Sequence, residues 1–304
     1  PPRQQIASLG RDYKAVIVLF FAGGADSFNI LVPYDNCSVN VEGVDLYEEY
    51  RAVRTNVAHN RSTLLPISAM RGPAQPCDRF GVHHNLSVVR DLYEAGEAAF
   101  FANIGTLVEP LDRATYQSRS REMPALSLFA HNKAQQMVST VDADTITAKG
   151  VLGRIKDSLT TGTAPHRVGL YSIDGSQRFL EGHDTTVQQT LMDKSGLGDF
   201  LYDDELGGAI ANMTGNRYSS IFADHYSTMV STALNDSSVL GTALKGATLS
   251  EAFRMSVSDI GNGLSQQLLQ VASVISVRAE LEAERDIFFV GMGGWDTHSS
   301  ATEA

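Results

Sequence analysis

The strongest constraint on the fold is the stretch Tyr13 to Asn29, YKAVIVLFFAGGADSFN, in which the apolar run Ala15 to Phe21 leads into Gly23 and Gly24. An unbroken β-branched and aromatic run of this length fits a strand buried on both faces, as in a parallel sheet. The first polar groups beyond it are Asp26, Ser27 and Asn29. In open α/β sheets ligands bind just past the carboxyl ends of the strands, so these side chains stand where chemistry is expected. A second stretch repeats the design: Asp286 to Met292, DIFFVGM, ends on Gly293, Gly294, Trp295, Asp296, Thr297 and His298. Two strands that each enter Gly-Gly and then an acid predict two carboxylates, Asp26 and Asp296, at one edge of one sheet.

Between these stretches the pattern alternates strands and helices. Leu46 to Val57 reads as a short amphipathic helix, and Leu64 to Asp78, with three prolines, as loop. A helix from Leu86 to Ala95 stops at Gly96, and the apolar segment Glu97 to Ile104 follows as a buried-strand candidate. Strand, helix and strand at this spacing predict a βαβ unit and hence a parallel sheet. Helices are expected over Arg113–Arg121, Lys149–Leu159 (entered through a glycine), Ile221–Leu244 and Leu264–Glu284, with a strand at Val168–Ile173. The period weakens between about residues 177 and 220, where a cap or insertion on a single α/β domain spanning residues 1–304 is expected. The chain ends six residues after His298, where a strand-end site would be followed by another helix. It therefore reads as a piece of a longer protein.

Charge excludes some partners. The net charge is −11 with no run of Lys or Arg, which disfavours nucleic acid and anionic membrane surfaces. No apolar segment approaches the ~20 residues of a membrane span, so no transmembrane segment is expected. The two cysteines, Cys37 and Cys77, lie in Pro-, Asn- and Asp-rich sequence. They read either as a disulfide in an oxidising compartment or as two unrelated thiols. Five N-x-S/T sequons, at Asn36, Asn60, Asn85, Asn212 and Asn235, occur among twelve asparagines. About two would arise by chance. Together these features point to a secreted or cell-surface glycoprotein, or a periplasmic protein if the source is bacterial.

The chain resembles the domain of unknown function 1501 family, which belongs with the alkaline phosphatase and sulfatase superfamily. The resemblance rests on VLFFAGGADSFNILVP, VHHNLSVVRDLYEAGEAAFFANIGTL, LFAHNKAQQ, GVLGRIKDSL and QQLLQVASVISVRAELEAERDIFFVGMGGWDTH. It implies a central, mostly parallel sheet with helices on both faces and one or two divalent ions (Zn, Mg, Mn or Ca) at strand ends. It also implies hydrolysis of a small anionic phosphate or sulfate ester. By the same resemblance Asp26, Asp296 and His298 are metal ligands, and Asn29, His131 and Asn132 line the site. Ala25 stands where the family has Asn, and the Ser-Glu-Phe-Gly and Asp-His-Gly segments that family members carry further on are not in these residues. The nucleophile has no motif here; Thr106 and Ser27 are candidates by position only.

Each candidate also has a structural reading. Asp26 and Asp296 could cap following helices, and His83 and His84 read as one packed ring and one exposed. A non-catalytic extracellular binding or structural glycoprotein, with an assembly partner in place of a substrate, is the alternative to the hydrolase. A dinucleotide-binding turn at Gly23 lacks the third glycine and the distant acid that such a site needs.

Overall fold

The computed structural model describes residues 11–39, 43–69, 75–105, 107–110, 112–119, 130–143, 145, 147–183, 189–197, 203–216, 218–251, 253–254 and 263–296. They divide into two compact units, Pro1–Phe21 with Thr106–Met292, and Ala22–Gly105 with Gly293–Ala304.

The first unit is built on β1 (Lys14–Phe21), β5 (Val168–Ser172), β6 (Thr190–Leu191) and β7 (Arg285–Met292), all parallel in the order β1-β7-β5-β6. The two organising runs are neighbours in register, from Lys14 opposite Arg285 to Phe21 opposite Met292. β7 is the strand buried on both faces. Its Ile287 and Phe289 pack with Leu152 of α5 (Val151–Thr160) and with Phe179 and Leu180 of a short 3-10 turn. Its Phe288 and Val290 pack on the other face against Val271 and Val274 of α8 (Gly263–Ser276) and Leu240 of α7 (Ile221–Leu244). Helices therefore flank the sheet on both sides, as expected for this class. The expectation of two buried faces fails for β1. Val18 and Phe20 pack inward, whereas Ile17 and Leu19 are 46% and 41% exposed, because the described residues leave that face of β1, an edge strand beside β7, largely uncovered.

Glycines set the tightest packing. Gly150 caps α5, and a Cβ there would overlap the carbonyl oxygens of Arg178 and Phe179; one at Gly153 would meet the backbone of Glu181 and Gly182. The GVLGRIKDSL segment is thus a helix whose glycines let it lie on main chain. Further helices of this unit include α3 (Arg113–Arg119), α4 (His131–Thr140) and α6 (Asp203–Gly215).

The second unit holds β2 (Leu31–Cys37), α1 (Leu46–Arg54), β3 (Leu65–Ser68), β4 (Cys77–Val82) and α2 (Ser87–Glu94). Here the sheet is antiparallel, β2-β4-β3, and the sequence pattern did not anticipate it. Residues 64–78, expected to be loop, contain β3 and the first residues of β4. Pro33 and Pro66 hid the strands, yet both sit on edge strands, where a missing N–H is tolerated. Cys37 and Cys77 face each other across β2 and β4 and are disulfide-bonded. Gly96, with φ of 78°, ends α2 as expected. The predicted strand Glu97–Ile104 does not form. The amides of Glu97 and Ala98 turn back to the Leu92 carbonyl, and Phe101 and Ile104 are more than three-quarters exposed. Apolar character alone supplied no strand for it to pair with, so the βαβ unit read there is not realised.

Candidate functional site

The site is assembled from turns of the second unit. The chain leaves β1 through Gly23, whose φ of 98° favours glycine, and leaves β7 through Gly294, at 89°. The two turns abut. A Cβ placed on Gly24 would lie 3.4 Å from the Asp296 Cα and 3.6 Å from its Oδ1, and one on Gly23 would lie 3.5 Å from the Asp296 Cβ. The glycine-hinged turns read from the sequence do meet side by side, with Asp26 two residues beyond Gly24 on the same turn.

Asp26 occupies the N-cap position of the 3-10 turn Ser27–Asn29 but does not cap it. Its Oδ2 accepts from Asn29 Nδ2 at 2.8 Å and from Arg54 Nη2, the guanidinium that ends α1. Asn29 also donates to the Val57 carbonyl at 2.9 Å and accepts from the Tyr50 hydroxyl at 2.5 Å. Burial raises the Tyr50 pKa, which keeps the phenol protonated as that donor; its oxygen in turn accepts from the His59 amide at 2.8 Å. Asp26, Asn29, Tyr50 and His59 thus form one hydrogen-bonded chain. Arg54 Nε, at the other end of the guanidinium, is buried without a partner among the described residues. The Ser27 hydroxyl is exposed and makes no hydrogen bond among the described residues, so nothing here activates it as a nucleophile.

His59 leads into a group the sequence reading undervalued. Its ring packs edge-on against His83, 4.6 Å between centroids, and His83 stacks on His84 at 4.3 Å. His83 follows directly from β4, and its amide donates to the Ile30 carbonyl at 3.0 Å, which ties it to the turn carrying Asp26. Burial holds the His59 pKa below the ordinary imidazole value, reinforced by His84 and Arg54 and opposed by Asp26. Burial likewise lowers His83, with His59 and His84 adding to it. Both rings are therefore neutral at pH 7. His59 stands in the plain sequence NVAHNRS with no motif around it, and only the fold brings it to the adjacent pair.

His131 and Asn132 open α4 in the first unit, where Asn132 lines a cleft with Gln136, Ser139 and Arg178. Thr106 and His298 lie outside the described residues. Asn36, Asn60, Asn85, Asn212 and Asn235 are all exposed; Asn60 caps a 3-10 turn through Ser62, and the last two lie in α6 and α7. No helix among the described residues is long and apolar enough to cross a membrane.

A family model for proteins of unknown function matches residues 13–304, nearly the whole chain. The chain belongs to the DUF1501 family. No curated protein and no solved structure shows significant similarity to it. Within this DUF1501 chain, three of the five segments that carried the resemblance fall on β1 and its turn, on α5, and on α8 with β7 and its turn, and the other two include α2 and the start of α4. The first and last of the five bring the paired glycines together.

Proposed function

We propose that this DUF1501 protein is an exported, metal-dependent hydrolase of small phosphate or sulfate esters, working at the paired turns that follow β1 and β7. One observation carries the reading: the seating of Asp296 against Gly23 and Gly24, which brings the second acid to the turn that bears the first. The donor set fits a hard or borderline divalent ion. Asp296 is an exposed carboxylate, and Asp26 keeps Oδ1 for a ligand while Oδ2 is held by Asn29 and Arg54. An ion bound by these two acids would neutralise charge on the transferred group and polarise its ester oxygens. Arg54 serves as the anion-recognising cation, since a planar guanidinium suits phosphate and sulfate oxygens. The Asn29–Tyr50–His59 chain holds the Asp26 carboxylate in place. Ser27 and Thr106 are offered as nucleophile by their place in the sequence alone, no described side chain activating Ser27. The Cys37–Cys77 disulfide and the exposed sequon asparagines support the exported setting.

The test is turnover of an aryl phosphate and an aryl sulfate by the chain with added Mg, Mn, Zn or Ca. Asp26→Asn and Asp296→Asn should each lower a metal-dependent rate by ~100-fold, the size of a loss of about 3 kcal/mol in transition-state stabilisation. No turnover, or turnover indifferent to both substitutions, refutes the hydrolase. A second reading has its own support: Asp26 is already neutralised by Arg54, as in a fold kept for extracellular binding. That reading predicts no turnover with any of the four ions.

A further inference from the structure

We infer that His59, His83 and His84 form a metal site of their own, built from imidazole nitrogens and selective for a zinc-like ion over magnesium or calcium. Each ring offers one nitrogen, and the three lie within 4.8 Å of one another. Zinc holds imidazole nitrogens at about 2.0–2.1 Å, so tetrahedral ligands stand about 3.4 Å apart. Small rotations of these rings close that difference. Three protein ligands leave the fourth position to water or a ligand, the arrangement of catalytic rather than structural zinc. His84 is the exposed member of the cluster.

The chemistry of the group explains the selectivity. Mg and Ca require oxygen donors, whereas neutral imidazole suits Zn, Cu, Ni and Co. Packing alone would be better served by apolar side chains than by three convergent nitrogens. Two supports fix the backbone: the Tyr50 hydroxyl accepts the His59 amide, and the Ile30 carbonyl accepts the His83 amide. Binding has one local consequence. His83 Nδ1 accepts the Asn85 amide at 3.2 Å. That bond is given up whichever nitrogen of His83 takes the ion, since coordination at Nε2 places the ring proton on Nδ1.

The inference stands on the imidazole geometry and does not need the ester reading. Its test uses the whole chain, stripped with a chelator and titrated calorimetrically with zinc, then with magnesium and calcium. One zinc ion per chain that excess Mg or Ca does not displace is expected, with a tetrahedral cobalt(II) spectrum on substitution and a shift of the Asn85 amide resonance. His59→Ala and His84→Ala should each weaken zinc binding by more than the ~10–100-fold that outer-shell changes cost. His84 is the exposed member of the cluster, so that variant removes a ligand from the surface side, and thermal unfolding checks that both variants fold. Zinc uptake unchanged in both variants, no zinc uptake, or calcium displacing zinc overturns the site. Zinc held by the imidazoles without ester turnover leaves the site standing and refutes the hydrolase. Turnover that depends on Asp26 and Asp296, with no zinc on the imidazoles, does the reverse.

Discussion

Replacing Asp286 with asparagine should make the protein's stability less sensitive to pH, in a direction the structure fixes. Asp286 sits on β7 and is 1% exposed; its carboxylate accepts from the Tyr13 hydroxyl at 2.8 Å and from the Gly169 amide at 3.1 Å. Burial outweighs those two donors and pushes its pKa up to about 6 from 3.8. A carboxyl raised in this way contributes stability that is complete below the unfolded value and is lost as pH rises through the folded one. The wild type should therefore weaken between about pH 4 and pH 6 by roughly 3 kcal/mol from this group, at 1.36 kcal/mol per pK unit. Asparagine keeps the shape, offering its oxygen to the Gly169 amide and its amide to the Tyr13 oxygen, but has nothing to ionise. Urea unfolding of both proteins at several values between about pH 4 and pH 8 should show the variant gaining roughly 2–3 kcal/mol on the wild type across that window. A difference constant with pH would mean that the carboxyl is not desolvated, and would refute the reasoning.

Three further predictions concern the fold. The Cys37–Cys77 bridge closes a separation of 40 residues, so reduction or a double serine substitution should cost about 4 kcal/mol on the chain-entropy argument. Thermal unfolding with and without reductant measures this, and the serine variant should be indifferent to reductant. Alanine at Gly150 should destabilise by at least ~2 kcal/mol, because its methyl meets the carbonyl oxygens of Arg178 and Phe179, which cannot turn aside. Alanine at Gly208, in α6 with open space around it, should instead stabilise by roughly 0.5–1 kcal/mol. Equal effects at the two glycines in unfolding titrations would contradict the packing described.

Much of the parallel sheet was legible from composition: β7 reads as a continuous apolar run and is buried on both faces, and β1 and β5 read as strands, whereas β6, in the stretch without a clear period, did not. α7 was legible to the residue, from its long apolar pattern. What the sequence hid is partnership. Glu97–Ile104 has the composition of a strand and no neighbour, while β3 and β2 have neighbours and prolines that disguise them. The site divides in the same way. The paired Gly-Gly-acid turns announced themselves by repetition. Arg54, Tyr50 and His59 did not, because each stands in an unremarked stretch and meets Asp26 or the adjacent histidines only through the path of α1 and β4. Capping, the commonest reason for an Asp at the start of a turn, is not what Asp26 does; it faces a guanidinium instead.

The pairing of β1 with β7 also sets an order of events during synthesis. β1 ends at Phe21 and β7 begins at Arg285, more than 260 positions later. At about 5–20 residues per second the ribosome needs roughly 10–50 s to deliver the partner strand. Throughout that interval β1 waits with its apolar residues uncovered, a target for holdase chaperones, while the β2-β4-β3 sheet, whose contacts span a few tens of residues, can already close and oxidise. β1 thus finds its partner only late in synthesis, and a stalled or shortened chain that lacks β7 should be recognised as defective and degraded rather than accumulate.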